Sequence, residues 1–361
     1  MRFLALLLAA LAIGAALPAT LTERDQRLLA LTPELPAYGL SAWSSAFGAG
    51  EFDVIRRSGA RYYRFDMATS YLDWDGDGRM TRHYDEFIRE ATARGVTLLP
   101  VLLRLSSAQQ AEPPRTVAEH ARWRTAIHFF AARYGNGGEF WRENPGLPYR
   151  PIRTWEVWNE PNLPQFWGER RPSPSRYRRL LAEGAAALRA ADPEARVLSG
   201  GIAWRRDGAR YLAAVLRDGG ACLADGAAIH PYGDSAAQSI AYLGQARRIL
   251  DRSGAHTAQL WPTEVGWRVG PRGRYAVATE SDQARVLSRF AAEAQRQRRR
   301  LRLGPLFAFA LRDRVDDGTL SNFGLRRADG SQRPAWRAWS DRARAGESVA
   351  LPSARGCTRS G

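Results

Sequence analysis

Two glutamates stand where acid chemistry would need them. Glu160 follows Trp155-Glu156-Val157-Trp158-Asn159 and precedes Pro161-Asn162, and Glu264 closes Trp261-Pro262-Thr263 ahead of Val265-Gly266-Trp267. Each ends a short, bulky apolar run of strand character. Pro161 has no N–H and stops ladder pairing immediately after the first glutamate. Two carboxyl groups aimed into one cleft are what cleavage of a glycosidic bond requires. One donates a proton to a poor alkoxide leaving group; the other attacks or stabilises a carbon with oxocarbenium character. A separation of about 5–5.5 Å between them gives retention through a covalent intermediate, and a wider gap gives inversion.

Such a pair needs a scaffold that brings two strand ends together. Strand-like runs recur at 38–43, 61–66, 97–104, 154–159, 196–200, 226–232, 259–264 and 306–311. Stretches with helical periodicity lie between them, at 52–58, 83–94, 116–134, 174–191, 210–217, 236–253 and 282–300, with 334–344 closing the set. Eight strand–helix pairs over this length predict an α/β fold, a single-domain (β/α)8 TIM barrel spanning 36–345. A doubly wound open sheet is the alternative. It is disfavoured because Tyr38-Gly39-Leu40-Ser41 lacks the glycine-rich phosphate loop after a first strand. In a closed barrel Glu160 ends the fourth strand and Glu264 the seventh, facing each other across the mouth. Long segments after several strands fit the shaping of a cleft there.

Asn159-Glu160-Pro161 and Thr263-Glu264 at these strand ends resemble the retaining glycosidases of glycoside hydrolase clan A, closest to family 39-like and cellulase-like bacterial members. The resemblance covers nearly the whole mature chain. It implies that Glu160 is the general acid/base, Glu264 the nucleophile, and that Asn159 bonds the sugar 2-hydroxyl. His230-Pro231-Tyr232 resembles the clan's His-x-Tyr, whose tyrosine touches the nucleophile, and Arg64 resembles the arginine that holds that carboxylate ionised. Arg64 could instead pair with Asp66 or another acid at the barrel top. Two departures put the substrate in doubt: Leu103-Arg104-Leu105 where several clan families carry a histidine, and Phe309-Ala310-Leu311 where many carry a tryptophan. The resemblance implies a retaining hydrolase acting on O-glycosidic linkages, β in configuration, of an oligo- or polysaccharide, with no cofactor and no metal in the site. A non-hydrolytic glycan-binding barrel and a transglycosylase using the same residues are the rival readings. Trp43, Trp167 and Trp267 offer faces on which pyranose rings could stack, and each could as well be core.

Composition narrows the partners. The formal net charge is +16 and every basic residue is arginine. A polyanionic partner would fit such a charge, but the arginines are spread along the chain, so an arginine-rich solvated surface is the favoured reading. No nucleic-acid motif accompanies the one dense run, 296–302. Nucleic acid is therefore not an expected partner, an acidic glycan stays open, and a monomer is expected. Met1-Arg2 followed by an alanine-rich apolar run to Leu17 reads as a secretory signal peptide, 1–19, which predicts a secreted chain with no membrane contact beyond export; an uncleaved anchor is the alternative. Residues 346–361 read as a tail. Two cysteines, Cys222 and Cys357, allow one disulfide in an exported chain. Asp73, Asp75 and Asp77 have the opening spacing of a calcium loop, but Tyr84 stands where the bidentate glutamate belongs, so a solvated turn is favoured.

Overall fold

The computed structural model describes residues 34–42, 49–71, 79–107, 110–204, 207–270, 273–316, 319–345 and 348–350. The expected signal peptide, Trp43, the Asp73–Asp77 turn and Cys357 lie outside these residues, so the expected disulfide and calcium loop do too.

Eight parallel strands form one sheet: β1 (Tyr38–Ser41), β2 (Tyr62–Ala68), β3 (Thr97–Leu103), β4 (Thr154–Asn159), β5 (Arg196–Ala203), β6 (Gly226–His230), β7 (Gln259–Pro262) and β8 (Leu306–Phe309). Each pairs with its neighbours in sequence, and β8 returns to pair with β1, Leu306 opposite Tyr38. This sequential order excludes the doubly wound alternative, which needs a reversal of strand order. The last gap, between β7 and β8, is closed by the backbone: Leu260 N–H donates to Arg302 O at 3.0 Å, Gly304 N–H to Leu260 O at 2.8 Å, Val265 N–H to Phe307 O at 3.0 Å, and Phe309 N–H to Val265 O at 2.8 Å. The sheet is a (β/α)8 barrel.

The strands are buried on both faces, as parallel strands sandwiched between a lumen and a helical shell must be. The shell comprises α1 (Ala49–Ser58), α2 (Arg79–Ala93), α3 (Val117–Tyr134), α4 (Pro174–Ala191), α5 (Gly208–Leu216), α6 (Ala236–Arg252), α7 (Glu280–Leu301) and α8 (Pro334–Arg344). Local chemistry sets several helix starts. Thr116 and Glu119 form a capping box on α3, and Thr279 and Asp282 form one on α7. Ser173 caps α4 with Pro174 in its first turn, and Ser235 caps α6. Among the described residues no helix is long and apolar enough to cross a membrane. Outside the expected barrel bounds, Glu34–Pro36 and Ser348–Ala350 pair as a two-stranded antiparallel ribbon.

The lumen is blocked near the strand beginnings. Tyr62 meets Phe307 and Trp261 edge-on at 5.2 and 6.0 Å, and Trp261 stacks on Phe307 at 6.4 Å. These rings fill the first lumen layer, so any polar cleft must open at the other end, beyond the strands' carboxyl ends.

Candidate active site

Above the aromatic layer the lumen turns polar, and Arg64 is its hub. Arg64 is 2% exposed. Its Nε and Nη2 grip Glu156 Oε2 and Oε1 at 2.8 and 2.9 Å. Nη2 also donates to Asn159 Oδ1 at 2.7 Å, and Nη1 donates to Glu264 Oε1 at 2.6 Å and to Ser41 Oγ at 3.3 Å. A guanidinium has five N–H donors, and these contacts use them all. Burial works against the charge, but Glu156 and Glu264 more than restore it, leaving the guanidinium above its ordinary pKa. The alternative pairing of Arg64 with Asp66 does not form.

Glu264 accepts from Arg64 on one oxygen and from the Tyr232 hydroxyl on the other, at 2.7 Å. Burial first, and the Glu264 charge second, push the Tyr232 phenol well above its ordinary range, so it stays a donor. Glu160 has different company. Its Oε1 lies 3.0 Å from His230 Nδ1, which is also 3.6 Å from Glu264 Oε2. His230 is fully buried. Burial drives its pKa down to about 4, the Glu264 and Glu156 charges resisting and Arg64 assisting. The imidazole is therefore neutral at physiological pH. Its Nε2 finds no hydrogen-bond partner and abuts Gly201, where a Cβ would sit 2.0 Å from that nitrogen. Only glycine leaves room for the ring there.

The end of β4 is bent to serve this geometry. Trp158 has φ of 79° and Glu160 φ of 41°, both in the left-handed region that side chains seldom adopt. The two turns interrupt the period-2 alternation, so Asn159 and Glu160 both reach the polar centre. Asn159 still pairs with Gly201 in the ladder, and Glu160 N–H donates to Gly201 O at 3.0 Å. Backbone held this way at a site is a recognised mark of function. Because Arg64 takes the Asn159 oxygen, the amide N–H pair is left to face a ligand.

Glu160, His230 and Glu264 each place one polar atom within 4.8 Å of the others'. Their proximity would also suit a cation. Both Glu264 oxygens are already taken by donors, however, and the adjacent Arg64 cation would repel a metal.

Two tryptophans offered as possible sugar platforms are core. Trp267, read as a sugar platform, is 1% exposed; it packs on Phe290 and donates its indole N–H to Gly233 O at 2.8 Å. Trp167 is likewise core, edge-on to Trp158. Arg64, and His230 through Nδ1, turn their polar atoms to the carboxylates. Several residues escaped the sequence reading. Glu156 was visible as a charge inside an apolar strand. Ser41 and Gly201 carried no signal. Tyr275 stacks on Tyr232 at 5.3 Å, and Phe323 and Phe309 meet Tyr232 edge-on at 5.9 and 6.2 Å. Together they form an aromatic wall beside Glu264 in place of the absent tryptophan.

No family model and no curated protein matches the sequence. Solved structures do match the fold. A glucosidase from Croceicoccus marinus superposes with a TM-score of 0.65 at 16% identity, over 84% of this chain and 66% of its own. A GH39 β-xylosidase from Caulobacter crescentus gives 0.60 at 21% identity, over 84% of this chain and 70% of its own. A GH39 enzyme from Xanthomonas axonopodis pv. citri gives 0.60 at 19%, over 87% and 67%. The chain spans about two thirds of the length of these proteins. The shared feature is the (β/α)8 barrel.

Proposed function

We propose that the chain is a retaining glycoside hydrolase acting on O-glycosidic, β-configured linkages of an oligo- or polysaccharide. The observation that carries the reading is the pair of carboxyl groups at the ends of β4 and β7, with oxygens within 4.8 Å of each other. That proximity favours the short separation of retaining enzymes over the wider gap of inverting ones. The glycosidase fold neighbours support it. Glu264 attacks the anomeric carbon as the bond to the leaving oxygen breaks, and Glu160 gives that oxygen its proton. In the second step Glu160 takes a proton from water, the water oxygen bonds the anomeric carbon, and Glu264 departs. Arg64 and Tyr232 hold Glu264 in line for attack. The free Asn159 N–H pair donates to the sugar 2-hydroxyl. The apolar run up to Leu17 supports export of the enzyme to an extracellular glycan.

Azide rescue on a panel of aryl β-glycosides tests the assignment. Glu160→Ala with azide is expected to yield the β-glycosyl azide, and Glu264→Ala the α-glycosyl azide. Equal turnover by wild type and both variants across the panel would sink the reading.

A further inference from the structure

One more carboxylate faces the site, and the mechanism does not use it. Asp66 lies two residues beyond Arg64 on β2, so strand alternation puts it on the same lumen face, one step nearer the mouth. In the ladder it sits opposite Val101 of β3, which is also the partner of Glu156 on β4. Asp66 and Glu156 therefore share one register row, on strands flanking β3. Unlike the buried side chains below it, Asp66 is only half-buried. Burial acts on it first, and then the charges of Arg64, Glu264, Glu156 and Arg314; among the described residues no hydrogen bond to its carboxyl group is found.

This isolation is informative because the neighbouring polar groups are satisfied. Arg64 has no N–H left, Glu156 is held by Arg64 and by Gly201 N–H at 2.8 Å, and both Glu264 oxygens are taken. A carboxyl group left open on the wall beside the proposed nucleophile is free to take hydrogen bonds from a ligand, and its ionised form takes them only from donors. The donors that a sugar carries are hydroxyls, and a carboxylate's two oxygens can accept from two adjacent ones. The sugar whose anomeric carbon meets Glu264 is the glycone.

We infer that Asp66 is a specificity residue for the glycone, accepting hydrogen bonds from the hydroxyls of a neutral sugar and turning away uronic acids. The inference rests on the retaining-glycosidase reading for the placement of the glycone. It makes the glycone pocket acidic although the chain as a whole is strongly basic: among the described residues Asp66, Glu156 and Glu264 act on one another around Arg64, whose N–H donors are saturated, and Glu160 lies beside Glu264. A uronate would bring a further negative charge against Asp66 and Glu264, and of the two cations that act on Asp66, Arg64 and Arg314, the first is already saturated by Glu156, Asn159, Glu264 and Ser41. Burial, reinforced by Glu264 and Glu156 and opposed by Arg64 and Arg314, raises Asp66 to about 7. Its repulsion of uronates therefore weakens as pH falls through neutrality, while a protonated Asp66 can still donate to one hydroxyl.

The test compares wild type, Asp66→Asn and Asp66→Ala on aryl β-xyloside, β-glucoside, β-galactoside, β-glucuronide and β-galacturonide. In parallel, calorimetry measures binding of a neutral sugar lactam and of its C6-carboxylate counterpart. Wild type is expected to favour neutral glycosides over uronides by about 100-fold at pH 8, a ratio that shrinks toward pH 6. Asp66→Asn is expected to lose about 10–100-fold in kcat/KM on neutral glycosides, mostly through KM, and to close most of the gap to uronides. The lactam affinities should follow the same pattern. A wild-type preference for uronides, a ratio insensitive to Asp66→Asn, or no binding of either lactam would overturn the inference. Turnover of glycosides with any of these results leaves the hydrolase reading standing. Asp66-dependent binding of the neutral lactam without turnover of any glycoside supports the subsite and sinks the hydrolase reading instead.

Discussion

The ends of β4 and β7 carry the same side chain at the same exposure, 8% for both Glu160 and Glu264, yet they give it opposite company. Glu264 meets a guanidinium and a phenol, one on each oxygen, and both can only donate here. Glu160 meets a neutral imidazole through Nδ1. A neutral imidazole nitrogen donates in one tautomer and accepts in the other. Glu160 can thus be bonded in both its protonated and its ionised form, which a group that must give and then retake a proton requires. The donors around Glu264 suit only an acceptor, which a nucleophile should be. Burial does not distinguish the two carboxylates; the donor or acceptor character of their neighbours does.

The comparison can be broken most directly by removing each glutamate in turn. Glu264→Ala is expected to lower kcat by about 10⁴-fold or more whatever the leaving group. Glu160→Ala should cost about 10²–10⁴-fold with poor leaving groups and little with activated ones, because the latter depart without a proton. Steady-state kinetics against leaving-group pKa gives both answers, and identical slopes for the two variants would abolish the distinction.

A second, smaller effect should come from the hub. Arg64→Lys keeps the charge but not the fork that grips Glu156 while reaching Asn159 and Glu264. Glu156, fully buried, would be left poorly paired, so stability should fall by about 3–5 kcal/mol in urea unfolding. Residual activity at full Tm would show that the lumen tolerates a point charge there.

Gly201→Ala separates the two arms. The added Cβ would collide with His230 Nε2 and displace the ring from Glu160, leaving Arg64 and Tyr232 on Glu264 untouched. The expected signature is a loss of about 10-fold confined to poor leaving groups, with about 1–3 kcal/mol of overpacking strain. A uniform loss would instead mean that His230 serves both carboxylates.

The smallest effect is on pH. The folded chain holds His230 neutral down to about 4, whereas the unfolded chain takes up that proton near 6.5. Between these values the unfolded state binds more protons, so this contribution is complete above about 6.5 and is lost as pH falls toward 4, about 3 kcal/mol in all. Thermal melts from pH 7.5 to 4 measure it, and His230→Gln should flatten that part of the profile.

Much of the architecture was legible because it depends on local pattern. Buried strands read as short apolar runs and helices as amphipathic stretches with caps, and only their bounds moved: α2 begins at Arg79 rather than His83, and β5 runs on to Ala203. The two glutamates were legible because proline and polar neighbours mark strand ends. Three-dimensional neighbourhood was not. Arg64 and Glu156 lie 92 residues apart, and nothing local joins them. Trp167 and Trp267 could not be told from surface platforms because an indole has the same composition whether it faces sugar or core. Tyr275 and Phe323 lie in connecting segments without periodicity. Asp66 could be named, but its lack of a partner emerged only when the competing acid, Glu156, was seen to occupy Arg64.

The hoop of strands is completed beside Glu264. Val265, the residue after Glu264, both donates to Phe307 O and accepts from Phe309 N–H across the join between the last two strands. Spreading the staves at that join would carry Glu264 away from Arg64, Tyr232 and Glu160 together. Catalytic competence and closure of the hoop are thus one event, and amide exchange at Val265 and Phe309 would time how often the molecule is briefly out of service.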